Sequence, residues 1–272
     1  MAKNSVVGIR YIKNEEIRLD AYHYSPEYLE VVRILSKIKT VPLYKIGDIF
    51  DGPFGSEVHS EEYVPSGIPF LRVSDIEPFF VNMKKLVCIP IEKHRQIIRS
   101  KIKPGYVVIT KTGTIGISAV VPPEIKEGNI RADLAGIKLK KSVNPYYLCA
   151  FLNSKYGYFQ VLRFRSSTRP RILIENLRKI RIPILPDEFQ SFIEQLIQQA
   201  YEKRKLAEQK YKQAEELLYK ILGITKEEIE KLEEEKGYET NFKNVAEAFR
   251  FDAEYYHPKY LGVIELLEKN SF

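Results

Sequence analysis

With 272 residues, 44% of them hydrophobic and 12% aromatic, the chain has material for one or two cores of ordinary size. Its 29% charged content and the absence of any long apolar run exclude a membrane span, and two cysteines with no secretory leader predict a disulfide-free protein of the reducing cytoplasm. A net charge of +7 (pI ≈ 9.1) has little meaning until its placement along the chain is known.

Residues 1–40 read as an arm running into a short helix. Ser25 is placed to cap that helix, Pro26 suits its first turn, and Tyr28, Val31, Val32 and Leu35 fall on one face.

From 41 to 186 the pattern changes to short β-rich segments punctuated by Gly and Pro. Strands are predicted at 68–73, 106–110, 115–121 and 135–139, where β-branched residues gather, with Thr112-Gly113-Thr114 as a hairpin turn. Helical stretches are predicted at 90–99 and 145–164. The fold class is therefore α+β. Between Lys155 and Arg181 stand eight basic residues and one acid, Glu175, which is how a phosphate-backbone footprint looks in a sequence.

Within that stretch, Arg163, Arg165, Ser166, Ser167, Thr168, Arg169 and Arg171 form the strongest chemical signal. Arginine pairs bidentately with guanine O6 and N7 or grips a phosphate, and hydroxyls can donate to either. Pro170 and the small polar residues make the segment a loop, where recognition groups concentrate. Lys111 and Thr112, beside the hairpin turn, are further DNA-binding candidates.

One long helix is predicted over 187–222, ended by Gly223. At 1.5 Å per residue it spans about 54 Å, more than a small domain needs for its own core. Alternating steps of four and three pick out Ile193, Ile197, Ala200, Ala207, Tyr211, Ala214, Leu218 and Ile221 as a seam, with Arg204 as its polar member. Alanine at every seventh place lets two helix backbones approach closely. Residues 223–249 form an acidic helical linker opened by a Thr225/Glu228 capping box.

The final segment, 250–272, repeats the first. Arg18 to Leu29 returns as Arg250 to Leu261 at an offset of 232 positions, with seven of twelve residues identical. So wide an offset marks the leading edge of a domain-sized unit rather than a solenoid repeat. One full unit plus the head of another implies that something supplies a second unit, and a second copy of the chain is the simplest source.

Catalysis finds no support in the residues. Asn144-Pro145-Tyr146-Tyr147 and Asp48 to Gly55 resemble the target-base and cofactor loops of adenine methyltransferases. The first lacks its second proline and suits a helix start; in the second, Pro53 removes a backbone donor and no alternating strand and helix series follows. The four histidines and two cysteines show no metal-ligand spacing.

Gly52 to Ser56, Gly67 to Ile76 and Gly105 to Gly116, followed by Asn144 to Leu148 and Ile180 to Pro186, resemble in their order the specificity subunit of Type I restriction-modification systems. The resemblance implies a non-catalytic subunit whose two recognition domains, held apart by two antiparallel helices, each read half of a split DNA target. It also implies modification subunits that bind S-adenosylmethionine and methylate adenine, and restriction subunits that cleave. No cofactor is expected on this chain itself.

Because this chain carries one recognition domain, it is similar to half-length specificity subunits that act in pairs. A twofold homodimer reading an inverted repeat of double-stranded DNA is the expectation, with no membrane partner. Two competing readings are a dimeric protein-interaction module whose basic loop meets an acidic partner, and a non-functional truncated specificity subunit.

Overall fold

The computed structural model describes residues 7–8, 20–53, 57–140, 143–166, 170–233 and 239–269. Its strands are β1 (Thr40–Pro42), β2 (Gly47–Asp51), β3 (Ile68–Leu71), β4 (Ile76–Glu77), β5 (Phe80–Val81), β6 (Val87–Ile89), β7 (Lys101–Ile102), β8 (Val107–Thr110), β9 (Ser118–Val120), β10 (Gly128–Ile130), β11 (Leu134–Leu139) and β12 (Arg181–Pro183). The helices are α1 (Pro26–Leu35), α2 (Leu43–Ile46), α3 (Ile91–Gln96), α4 (Pro145–Asn153), α5 (Lys155–Arg163), α6 (Ile174–Lys179), α7 (Asp187–Leu222), α8 (Lys226–Glu233), α9 (Phe242–Ala248) and α10 (Pro258–Lys269). This is the α+β class read from the sequence. The chain divides into two compact units, Met1–Gln199 and Ala200–Phe272.

In the first unit, β2-β11-β8-β9 form an antiparallel sheet, and β6-β3-β10-β7 form a mixed one in which only β3 and β10 run parallel. All four residues of β8 are buried. Alternation sends Val107 and Ile109 into a core with Leu148, Leu152, Val161, Ile172 and Leu177, while Val108 joins Leu71, Ile102, Ile130 and Leu134 in a second core. A strand covered on both faces reads as a continuous apolar run, which is how this segment appears in the sequence.

The helical stretch predicted at 145–164 is two helices. The chain turns at Ser154, whose Oγ donates to the Phe151 carbonyl at 2.6 Å. Gly157 then lies so close to the end of α4 that a Cβ there would stand 2.2 Å from the Phe151 oxygen. α4 itself begins as expected, with Asn144 accepting from the amides of Tyr146 and Tyr147 and Pro145 in the first turn.

The first head sits on α5. Asp20 accepts from the His23 amide at 3.0 Å and caps a 3-10 turn at Ala21–Tyr24, after which α1 buries Tyr28, Val31 and Leu35. Tyr28 meets the Phe159 ring edge-on at 5.5 Å. Ser25 makes no side-chain cap, contrary to the sequence reading, although Pro26 occupies the first turn as expected. Residues 1–6 and 9–19 of the arm lie outside the described residues.

α7 is an uninterrupted helix of 36 residues over the predicted range. At its start, Gln190 accepts from the Asn144 amide at 2.9 Å and donates to the Leu185 carbonyl at 2.8 Å.

In the second unit α7 ends at Gly223, whose φ of +64° is left-handed and suits a residue without a Cβ. The Thr225/Glu228 capping box forms, with bonds of 2.8 and 3.3 Å, and opens α8. The second head repeats the geometry of the first: Asp252 accepts from the Tyr255 amide at 3.1 Å and caps a 3-10 turn at Ala253–Tyr256. Its φ and ψ of −78° and 126° match the −74° and 124° of Asp20. The sequence repeat is thus a structural repeat, but its surroundings differ. Tyr28 is 5% exposed, whereas its counterpart Tyr260 is 44% exposed, and Phe249 and Phe251 are open to solvent.

Candidate nucleic-acid interface

The candidate site is built at one end of the β2-β11-β8-β9 sheet. Antiparallel pairing of Asp51 with Ala135 and of Thr110 with Leu134 brings the end of β2, the end of β8 and the start of β11 to the same edge. Beyond Thr110 the chain makes the predicted hairpin turn, with Gly113 and Gly116 at φ of +71° and +88°. The Thr110 hydroxyl ties the turn together by donating to the Thr114 carbonyl and accepting from the Ile117 amide.

The basic loop is laid against this turn. Ser166 donates its amide to the Arg171 carbonyl at 3.0 Å, closing the loop at its base. Arg171 bridges Thr112, and the Ile172 amide donates to the Lys111 carbonyl at 3.0 Å. Two segments roughly sixty positions apart in the chain therefore share one edge of the molecule.

The candidate residues separate into three groups. Arg171 and Ser166 are exposed and Thr112 is half-buried. Arg165 is half-buried with its guanidinium 3.8 Å from the centre of the Tyr22 ring, a cation–π stack. Arg163 and Lys111 are interior. Arg163, 4% exposed, donates from Nε to the His23 carbonyl at 3.2 Å, while His23 Nδ1 donates to the Arg163 carbonyl at 2.9 Å. Lys111, 1% exposed, donates to Asp51 Oδ2 at 3.0 Å. Burial holds the Lys111 ammonium below the usual lysine range, opposed by the Asp51 carboxylate. Ser167, Thr168 and Arg169 lie outside the described residues.

The run of basic residues consequently does not form one face. Arg163 points inward from α5 to the first head, and Arg181 is tied to Thr40, with Nε 3.0 Å from the hydroxyl. Composition counted these cations without regard to direction.

Sequence reasoning missed Asp51, Tyr22 and the Arg131–Asp133 pair, which closes at 3.5 Å on the β10–β11 connection. Asp51 lies inside the fragment that resembles a methyltransferase cofactor loop, but no local spacing links it to a lysine sixty positions later. Gly52 beside it serves packing: a Cβ would lie 2.0 Å from the Ile130 carbonyl.

The remaining chemistry is sparse. Cys149 is buried, and burial pushes its thiol up to about 12. Among the described residues no group of His, Cys, Asp and Glu is arranged to hold a metal ion, and no helix is long and apolar enough to cross a membrane. An open groove of about 690 Å³ runs past Pro104, Tyr106, Lys138, Asn144 and Gln190. Asn144, the residue that resembled a target-base ligand, is engaged there with Glu194 at 2.6 Å as well as capping α4.

Fold and site together define an α+β chain whose β-rich unit gathers polar and basic loops at one sheet edge and is followed by a long helix. Solved structures similar to this chain include proteins of restriction-modification systems, among them the type IIG restriction endonuclease BpuSI (10% identity, TM-score 0.49, covering 96% of this chain and 35% of that one). One describes the assembly and conformational transition of a type I R-M system (19% identity, TM-score 0.42, covering 75% of this chain and 51% of that one). The HsdS subunit from Thermoanaerobacter tengcongensis gives 17% identity and a TM-score of 0.41, covering 71% of this chain and 47% of that one. The S subunit from M. genitalium gives 12% and 0.42, covering 71% and 44%. The chain spans about half the length of the last three proteins. No family model and no curated protein sequence matches it.

Proposed function

We propose that the chain is a non-catalytic reader of double-stranded DNA, acting as the specificity subunit of a Type I restriction-modification complex. The observation that carries this reading is the junction of the hairpin turn with the basic loop. Thr112 and Arg171 are bridged, and Arg171 and Ser166 stand exposed on a framework of buried strands, the rigid support that base recognition requires. The order of the sequence motifs supports the same assignment.

Two copies would pair through α7 and the second head. Tyr211, Leu218 and Ile221 of the predicted seam are exposed, as are Phe249, Phe251 and Ile264, more apolar surface than a unit of this size leaves open without use. Ala200, Ala207 and Ala214 are exposed beside them, while Ile193 is half-buried and Ile197 buried in the first unit. Twofold pairing makes the target an inverted repeat with a fixed gap. Modification subunits carrying S-adenosylmethionine, and restriction subunits, are the expected further partners.

Mobility shift on duplexes selected from a random pool, against unselected duplexes, tests the DNA reading. Arg171→Ala should weaken binding, and equal affinity for both pools refutes the function. Sedimentation of Ala207→Phe tests pairing: the wild type should be a dimer at micromolar concentration and the variant should dissociate, because a bulky side chain forces the helices apart. A monomeric wild type refutes the pairing and leaves the DNA test standing.

A further inference from the structure

The pair formed by Lys111 and Asp51 is built unlike a stabilising salt bridge. Its cation is sealed at 2% side-chain exposure while its anion is 47% exposed at the end of β2. Sealing an ammonium away from water costs more than a half-solvated carboxylate returns, so the contact adds little to folding. What it does achieve is positional. A buried donor under the carboxylate holds Oδ2, and among the described residues no donor reaches Oδ1.

The location is the candidate interface. Lys111 opens the hairpin turn, its neighbour Thr112 bridges Arg171, and Arg171 lies near enough to oppose the Lys111 charge. A carboxylate beside a phosphate-binding loop would ordinarily repel DNA. With the Lys111 ammonium beneath it the local charge cancels, and an acceptor can stand there without repelling the duplex.

Resting on the DNA-reading function proposed above, we infer that Asp51 is a specificity-determining residue. Its free carboxylate oxygen accepts a hydrogen bond from the exocyclic amino group of a cytosine or adenine in the major groove. Cytosine N4 and adenine N6 are the major-groove donors, whereas guanine O6 and thymine O4 are acceptors that a carboxylate repels. Lys111 acts through Asp51 as a positioning residue and does not touch the base.

The test uses the full chain and the duplex it selects from a random pool, with all four bases placed in turn at each position of the half-site and binding followed by fluorescence anisotropy. At one position the wild type should favour cytosine or adenine over guanine or thymine by about tenfold. Asp51→Asn should reverse that preference, because the Lys111 ammonium takes the amide oxygen and turns the amide NH₂, a donor, outward. Lys111→Met should reduce the preference at the same position to about twofold or less and, by leaving the Asp51 charge uncompensated, weaken binding to all duplexes alike, with the preferences at other positions unchanged.

An Asp51→Asn chain that is folded by circular dichroism and keeps the wild-type preference everywhere overturns the assignment while leaving the DNA reading intact. Should that variant not fold, an unchanged preference in Lys111→Met overturns it equally. A wild-type chain with no preference among duplexes overturns the DNA reading and the assignment together.

Discussion

Arg163 sits within the most basic stretch of the chain, yet its guanidinium points into the protein, and replacing it separates a structural arginine from one proposed to bind DNA. In Arg163→Ala the His23 carbonyl loses an Nε donor at 3.2 Å, and the side chain's three methylenes leave a cavity beneath the first head. An unsatisfied buried carbonyl costs about 1–3 kcal/mol and each buried methylene about 0.8, partly offset by no longer desolvating a charge. The net loss should be about 2–4 kcal/mol, which for a unit of this size lowers Tm by about 4–16 °C. The reciprocal bond from His23 Nδ1 goes to backbone and survives, so the head loosens without being released. Thermal and urea unfolding would measure the loss, and DNA affinity of the folded protein would be measured alongside it. Affinity and salt slope should stay within about twofold of wild type, whereas Arg171→Ala should show the opposite pattern. An Arg163→Ala chain with wild-type Tm and a reduced salt slope would refute the interior placement.

Three further outcomes follow from packing and burial. Gly157→Ala should destabilise the first unit by at least about 2 kcal/mol in thermal unfolding, since the new Cβ meets backbone rather than a side chain that can move. Cys149 stays protonated below about 12, so at pH 8 an alkylating reagent should modify Cys88 in the native chain and reach Cys149 only on unfolding, as read by mass spectrometry. Lys111 binds its proton less tightly folded than unfolded. Its cost to stability is therefore present at neutral pH and fades as pH rises through the lowered folded value toward the ordinary 10.5. Lys111→Met should accordingly lie within about 1 kcal/mol of wild type at pH 7 and lose that pH dependence, and a large loss would show that the ion pair stabilises the fold.

Features decided within a few residues were legible in advance. The Thr225/Glu228 box, the Pro145 helix start, the Gly223 stop and the hairpin at Thr112 to Thr114 each depend on groups three or four positions apart, close enough for local chemistry to settle them. The same holds for the two heads. Their shared Asp, Tyr and Pro residues produce the same capped turn although one is buried on α5 and the other faces solvent. Ser25 is the exception: its hydroxyl makes no capping bond, although Asn144, likewise followed by a proline, makes two.

The sequence by itself determined the α+β class and the 36-residue helix, and it named the segments from which the candidate site is drawn. Which charges face outward was decided only by the tertiary structure. Arg163 and Arg171 are chemically alike and eight positions apart, but one completes the seat of the first head and the other lies on a loop clamped to a strand end. The union of Lys111 with Asp51 likewise required β2, β11 and β8 to align in register. Local propensity acts over one or two turns of chain, whereas side-chain direction and long-range pairing are set by the packing of elements far apart in sequence. A count of basic residues can therefore locate such a surface without saying which of them compose it.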